Sequence, residues 1–377
     1  MEEDLENSEV TKSYTSFKKE QEQGEKTFDA IVIGSGTGGL SVAAVLAKEG
    51  KLVLVLEQHY IIGGYTHAFQ RKGYMWDVGL HYVGQVHIEG TLLNKAFRYI
   101  SDEKLEWEPL DNIYDRAVFG DKEYEFPRGR NNLKAKLKEY FPDEKDISSI
   151  DSYFQLLDEV NKVGPGYYIE KVMPEFLATI FGDFLRRKVL KFSDQTTLGV
   201  LKGITDNEQL IGVLTAQYGD YGLQPAQSSF YMHAVLANHY MEGAGYPVGG
   251  APRFAETVIP VIKKAGGEVV MQASVKQIIV KNNTAIGVEM ADGTVLNAKT
   301  IVSSAGVVNT YGKLLSQEVK EQHDLEKKLE QLTPSLAHMG LYVGIKESSK
   351  NLKLPKCNYW IFPDEYNHKL NQDRYTD

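Results

Sequence analysis

Gly34-Ser35-Gly36-Thr37-Gly38-Gly39 has the spacing GxGxxG, and an acid, Glu57, follows about twenty residues later. Residues of these types at these intervals bind a dinucleotide. Gly34 permits a tight turn, Gly36 lets a pyrophosphate approach the backbone, and Gly39 lets the following helix lie close to the preceding strand. The first turn of that helix offers unpaired N–H groups and a partial charge of about +0.5, an anion site that needs neither Lys nor Arg. The carboxylate of Glu57 can accept hydrogen bonds from an adenosine ribose and would repel a 2′-phosphate. A second glycine pair, Gly63-Gly64, comes shortly afterwards.

The flanking residues supply the elements that must hold this motif. Asp29 to Ile33 is a β-branched apolar run suited to a buried parallel strand. Leu40 to Lys48 reads as the helix, stopped by Gly50, and Lys51 to Glu57 as the second strand. Because strand, glycine turn, helix and acid occur in that order, the motif reads as a nucleotide site in an α/β fold rather than an ordinary turn.

A second stretch with chemical potential is Tyr74 to Gly84, dense in aromatic, glycine and polar residues. His81 and Tyr82 within it could place a proton donor beside a substrate, and they read equally as hydrogen-bonded core aromatics. No metal site is expected, since His59, His67, His81 and His87 lack i, i+3 or i, i+4 pairing and a nearby cysteine. The single cysteine, Cys357, rules out an internal disulfide and fits a reducing, cytoplasmic compartment.

The 377 residues are 42% hydrophobic, enough for a sizeable core in about two domains, and the net charge of −9 argues against nucleic acid as a partner. Residues 1–27 are mostly Glu, Lys, Ser and Gln and read as a disordered tail without the apolar region of a signal peptide. No apolar run approaches the roughly 18 residues that span a bilayer. Contact with a membrane surface stays open through Val172 to Phe192, where Phe176, Leu177, Ile180, Phe181, Phe184 and Leu185 adjoin Arg186, Arg187, Lys188 and Lys191. The same residues also fit a core helix with a solvated basic end.

Residues 28–100 form the first part of the nucleotide domain, and short strands and helices over 101–245 form a substrate domain. Within the latter, Thr205-Asp206-Asn207-Glu208 reads as a capping box. Residues 246–310 return to the nucleotide domain through a helix, Pro252 to Ala265. Strands follow at Glu268–Met271, Ser274–Val280, Ala285–Met290, Val295–Asn297 and Thr300–Ser303. Residues 311–377 begin a further substrate-domain segment.

Taken together, Gly34–Gly39, Glu57-Gln58-His59, Gly63-Gly64, Gly79-Leu80-His81-Tyr82, Tyr218–Gly222, Met232-His233-Ala234, Asn238–Met241 and Ile259–Ile262 resemble the retinol saturase (all-trans-retinol 13,14-reductase) family. That family is a branch of the phytoene desaturase and carotenoid isomerase flavoproteins. The resemblance runs from about Phe28 to Trp360 and implies a Rossmann-like FAD-binding domain with a discontinuous α+β substrate domain. It favours FAD as cofactor over a nicotinamide. The cofactor-binding set becomes Gly34, Ser35, Gly36, Gly38, Gly39, Glu57, Gln58, Gly63, Gly64, Val275 and Ala305, with Val275 beside the adenine. The Tyr74–Gly84 segment is implied to lie near the isoalloxazine, with His81 and Tyr82 as the catalytic pair. The implied reaction is reduction of one double bond of a lipophilic polyene, with carotenoid desaturation or cis–trans isomerisation as competing chemistries. NAD or NADP is an expected electron donor that would share the one glycine motif or act through a separate reductase. Family members continue past the position of Asp377, so a fragment is expected, and a non-catalytic flavin-binding remnant is a third reading.

Overall fold

The computed structural model describes residues 11–24, 26–332 and 337–374. The chain divides into two compact units. The first comprises Met1–Tyr82, Ile88–Glu108 and Tyr246–Pro334; the second comprises Val83–His87, Pro109–Gly245 and Ser335–Asp377.

The first unit is built on a sheet of seven strands. In chain order its elements are β1 (Lys12–Ser13), α1 (Tyr14–Gln23), β2 (Phe28–Ile33), α2 (Thr37–Lys48), β3 (Val53–Leu56), the hairpin strands β4 (Ala68–Arg71) and β5 (Tyr74–Asp77), α3 (Arg253–Lys264), β6 (Glu268–Met271), β7 (Val275–Lys281), β8 (Thr284–Met290) and β9 (Val295–Ser303). The sheet order is β1-β6-β3-β2-β9-β8-β7, parallel from β1 to β9 and antiparallel thereafter. Both faces of the parallel part are covered, and the sequence shows why. Ala30, Val32, Val53 and Val55 point to one side, against Leu40, Ala43 and Ala44 of α2 and Phe254, Val258 and Ile262 of α3. Ile31, Ile33, Leu54 and Leu56 point to the other, with Phe17, Phe28 and Val270. The period of two therefore sorts a continuous apolar run into two cores.

The segment expected to be a disordered tail is ordered over its described residues from Lys12 onward. β1 pairs with β6, and α1 buries Phe17, 1% exposed, against Phe28 at 6.2 Å between ring centroids. Lys18 bonds Asp292 at 2.7 Å and the Tyr14 hydroxyl bonds the same carboxylate at 3.1 Å. Average polarity misleads here because two aromatic residues one helical turn apart suffice to dock a short helix. Two other boundaries moved. α2 starts at Thr37, so Gly38 and Gly39 lie inside the helix. Val295–Ser303 is one strand, not two: its first residues pair with β8 and its last with β2.

The second unit contains a small sheet in which Asn358–Phe362 runs parallel to Ile113–Phe119, itself antiparallel to Lys122–Pro127. Its longest helices are Glu144–Val172 and Glu175–Ser193, followed by Arg130–Tyr140 and Phe230–Tyr240 at 11 residues each. The helix after Thr205 is Glu208–Leu214. Its cap is Asn207, whose side chain accepts from the N–H of Leu210, while the Thr205 hydroxyl accepts from the N–H of Asn207. Both residue types cap well, so spacing alone could not choose between them.

Two buried histidines in this unit set its acid limit. His233 Nε2 lies 2.9 Å from the Tyr153 hydroxyl and Nδ1 lies 3.3 Å from that of Tyr221, so in a neutral ring one tyrosine donates and the other accepts. His368 donates from Nε2 to the Gly212 carbonyl at 3.0 Å. Burial lowers both pKa values to about 4. A ring neutral when folded and protonated near pH 6.5 when unfolded gives stability that is complete above about 6.5 and lost as pH falls toward 4. Each ring accounts for roughly 3 kcal/mol across that window. Melting temperature should therefore fall steeply between pH 6.5 and 4, and His233→Phe should flatten the slope. A flat profile in the wild type would contradict the assignment.

Candidate dinucleotide site

The glycine turn joins β2 to α2, and its three motif glycines meet different surroundings. Gly34 has φ +94° and lies against Ser304 and Ala305, which follow β9; its ideal Cβ would be 3.4 Å from the Ser304 carbonyl. A Cβ on Gly39 would fall 2.0 Å from the Gly34 carbonyl oxygen, so only hydrogen fits between helix and turn. Gly36 is the opposite case. It caps α2 in an extended conformation with φ −63°, and nothing lies within 4 Å of where its Cβ would be. It has no side chain to satisfy the N–H groups of the first turn, so open space and unpaired donors coincide. A pyrophosphate fits that cradle, and a methyl group would fill it.

Glu57 follows β3 and is only 8% exposed. Its Oε2 accepts from the Ser35 N–H at 2.8 Å and the Ser35 hydroxyl at 2.6 Å, and its Oε1 accepts from the His59 N–H at 2.9 Å. A carboxylate has about four acceptor sites, so three protein donors leave room for a ribose hydroxyl. Glu57 thus also ties the glycine turn to the chain after β3. Ser35, expected among the cofactor contacts, is fully buried, and its hydroxyl also accepts from the Gly63 N–H at 3.1 Å. Its polar groups face the protein.

Gly63 and Gly64 adopt φ +117° and +56°. A Cβ on Gly64 would approach Gly36 Cα to 2.9 Å, which brings the second glycine pair against the cradle floor. Gln58 is exposed. Gln272 donates to the His59 carbonyl and Ala273 to that of Glu57, so the chain leading into Val275, the first residue of β7, is pinned beside the acid. These contacts bring Gly34, Gly36, Gly39, Glu57, Gly63, Gly64 and Ala305 together. Three further residues lie in this region outside the glycine motifs. Ser304 packs against Gly38 and Gly39, while Asp77 and Tyr246 join strand β5 to the turn before α3.

His81 and Tyr82 follow β5. Tyr82 is buried, His81 is exposed, and their rings meet edge-on at 4.5 Å between centroids. Among the described residues no group of three or more His, Cys, Asp or Glu side chains is placed to hold a metal ion.

A parallel sheet, a glycine turn capping a helix and an acid at the end of the next strand are the elements of a Rossmann-like fold. The family described as a NAD(P)-binding Rossmann-like domain matches residues 32–98. More particularly, the chain is similar to all-trans-retinol 13,14-reductases. It is 37% identical to the Danio rerio protein over 92% of this chain and 35% identical to the Homo sapiens protein over 91%. It spans 58% of the length of each. A solved oxidoreductase from Methanosarcina mazei shares the fold with a TM-score of 0.58 at 19% identity, over 81% of this chain and 65% of that one.

Proposed function

We propose that this protein is an FAD-dependent oxidoreductase that reduces a carbon–carbon double bond of a retinoid or related conjugated polyene. The observation that carries the reading is the open face of Gly36 at an uncapped helix start, in a chain 37% identical to a retinol reductase. Gly36, the first turn of α2 and Glu57 would hold the diphosphate and the sugar; a flavin bound there would supply hydride equivalents to the polyene. The chain's own part is to orient the substrate, exclude water and deliver a proton, for which the Tyr82 hydroxyl is the candidate, with His81 against its ring. A polyene needs few polar contacts, because burial stabilises it by roughly 0.8 kcal/mol per methylene-sized group.

The test is anaerobic mixing of the flavin-reduced protein with all-trans-retinol. A product heavier by two hydrogens supports the reading. Loss of two hydrogens would indicate desaturation instead, and an unchanged mass isomerisation. Tyr82→Phe should slow the step by about a hundredfold or more with the flavin spectrum unchanged; full activity in that variant would remove Tyr82 from the mechanism.

A lipophilic substrate also calls for a lipid source. No described helix is long and apolar enough to cross a membrane. Helix Glu175–Ser193 leaves Phe176, Ile180, Phe181 and Phe184 more than half exposed, and Val172 precedes it at 82%. Glu170 and Asp183 engage Arg186 and Glu159 lies 3.9 Å from Lys191, so Arg187 and Lys188 supply most of the uncompensated local positive charge. This face suits an anionic lipid surface. Replacing the four basic residues by Gln should abolish co-sedimentation with phosphatidylserine-containing vesicles, and a wild type that stays in the supernatant would dispose of the contact.

A further inference from the structure

Asp77, the last residue of β5, belongs to no nucleotide motif, yet it stands between the cradle and a second glycine turn. On the cradle side, Val78 donates to the His67 carbonyl at 3.2 Å and Gly79 to the Tyr65 carbonyl at 3.1 Å. Those partners directly follow Gly64, the glycine that closes on Gly36. The carboxylate reaches the other way. Its Oδ2 accepts from the Tyr246 hydroxyl and from the Ala251 N–H, the latter at 3.1 Å. Between these two donors the chain turns through Gly249 and Gly250, at φ +93° and +92°. A Cβ on Gly250 would lie 3.4 Å from Asp77 Oδ1. The Tyr246 hydroxyl is also 3.4 Å from the Leu80 carbonyl, next to His81 and Tyr82.

A turn with two left-handed glycines is conformationally loose unless something outside it fixes it. Here the fixing group is one side-chain oxygen that accepts from two donors at once, one at each end of the turn. We propose that Asp77 is a positioning residue for the cofactor. It locks the Tyr246–Ala251 turn and the Leu80–Tyr82 loop to the Gly64 end of the cradle, and so sets the fit and the electronic surroundings of the bound flavin. The inference rests on the FAD reading given above.

The test titrates FAD into the full apo-protein, following flavin fluorescence quenching and the visible absorption band. Asp77→Ala should weaken FAD about tenfold or more and shift the band. Asp77→Asn keeps an oxygen that can accept both donors and should stay close to wild type in affinity, spectrum and pH profile. Tyr246→Phe should give an intermediate loss that does not add to that of Asp77→Ala. Wild-type affinity and spectrum in Asp77→Ala would overturn the proposal, as would Asp77→Asn as impaired as Asp77→Ala, which would show that the charge rather than the hydrogen-bonded position matters. If Asp77→Ala does not fold, Tyr246→Phe decides: a loosened flavin with a shifted band supports the role, and an unchanged one defeats it. A wild-type protein that takes up no FAD would defeat the functional reading and this inference together, whereas wild-type uptake unaffected by either variant defeats only the inference.

Discussion

Gly36→Val yields a protein that melts as the wild type does and no longer takes up FAD. The expectation is unusual for a glycine in a tight turn, and it follows from the surroundings of this one. Its φ of −63° suits any residue, and no atom lies within 4 Å of the position a Cβ would occupy. The new Cβ meets no protein atom, so stability should change little. It does meet the space into which the first N–H groups of α2 point. Losing even two charge-assisted hydrogen bonds there corresponds to a weakening of about a hundredfold or more. Gly39→Ala should behave in the opposite sense. Its methyl group would overlap the Gly34 carbonyl oxygen, a backbone atom that cannot move alone, so the helix must lift from the strand at a cost of about 1–3 kcal/mol or more. Thermal melts and FAD titrations of the two variants separate the effects. Wild-type FAD affinity in Gly36→Val would exclude this cradle as the diphosphate site.

Glu57→Gln is the second large effect, and its size comes from a substitution that looks conservative. The carboxylate takes three protein donors on two oxygens. An amide must turn its NH2 group toward either Ser35 or the His59 N–H, and in each orientation a donor faces a donor. With the residue 8% exposed, water cannot restore the lost acceptor. A buried unsatisfied donor costs about 1–3 kcal/mol, and the sugar contact is weakened as well. Glu57→Gln should therefore lower both melting temperature and FAD affinity, and Glu57→Ala should lower them further. If Glu57→Gln lost affinity while melting normally, the hydrogen bonds to Ser35 and His59 would not support the turn.

What the sequence made legible is what the backbone demands locally. The spacing of Gly34, Gly36 and Gly39 encodes three steric conditions within one turn, and the acid after β3 is set by a helix and a strand of ordinary length. The alternation in β2 and β3 likewise needs only neighbouring residues to be read. Long-range ties left no such trace. Asp77 and Tyr246 are 169 residues apart, and nothing in the sequence around either one points to the other. Ser35 was recognised as part of the motif, but its hydroxyl's place between Glu57 and Gly63 depends on how the two glycine turns pack. The ordered stretch before Phe28 escaped for a related reason: its few apolar residues gain their meaning only from Phe28 and the strand Glu268–Met271.

That stretch also forms one border of the sheet. The sheet terminates on one side in a strand of two residues, where Lys12 is paired with Glu20 and Glu268. It pairs with Val270 and Met271 of the next strand, whose amides and carbonyls would otherwise face outward unmatched. A brief, charged border of this kind offers an approaching strand little to register with, a device by which sheets discourage edge-to-edge pairing.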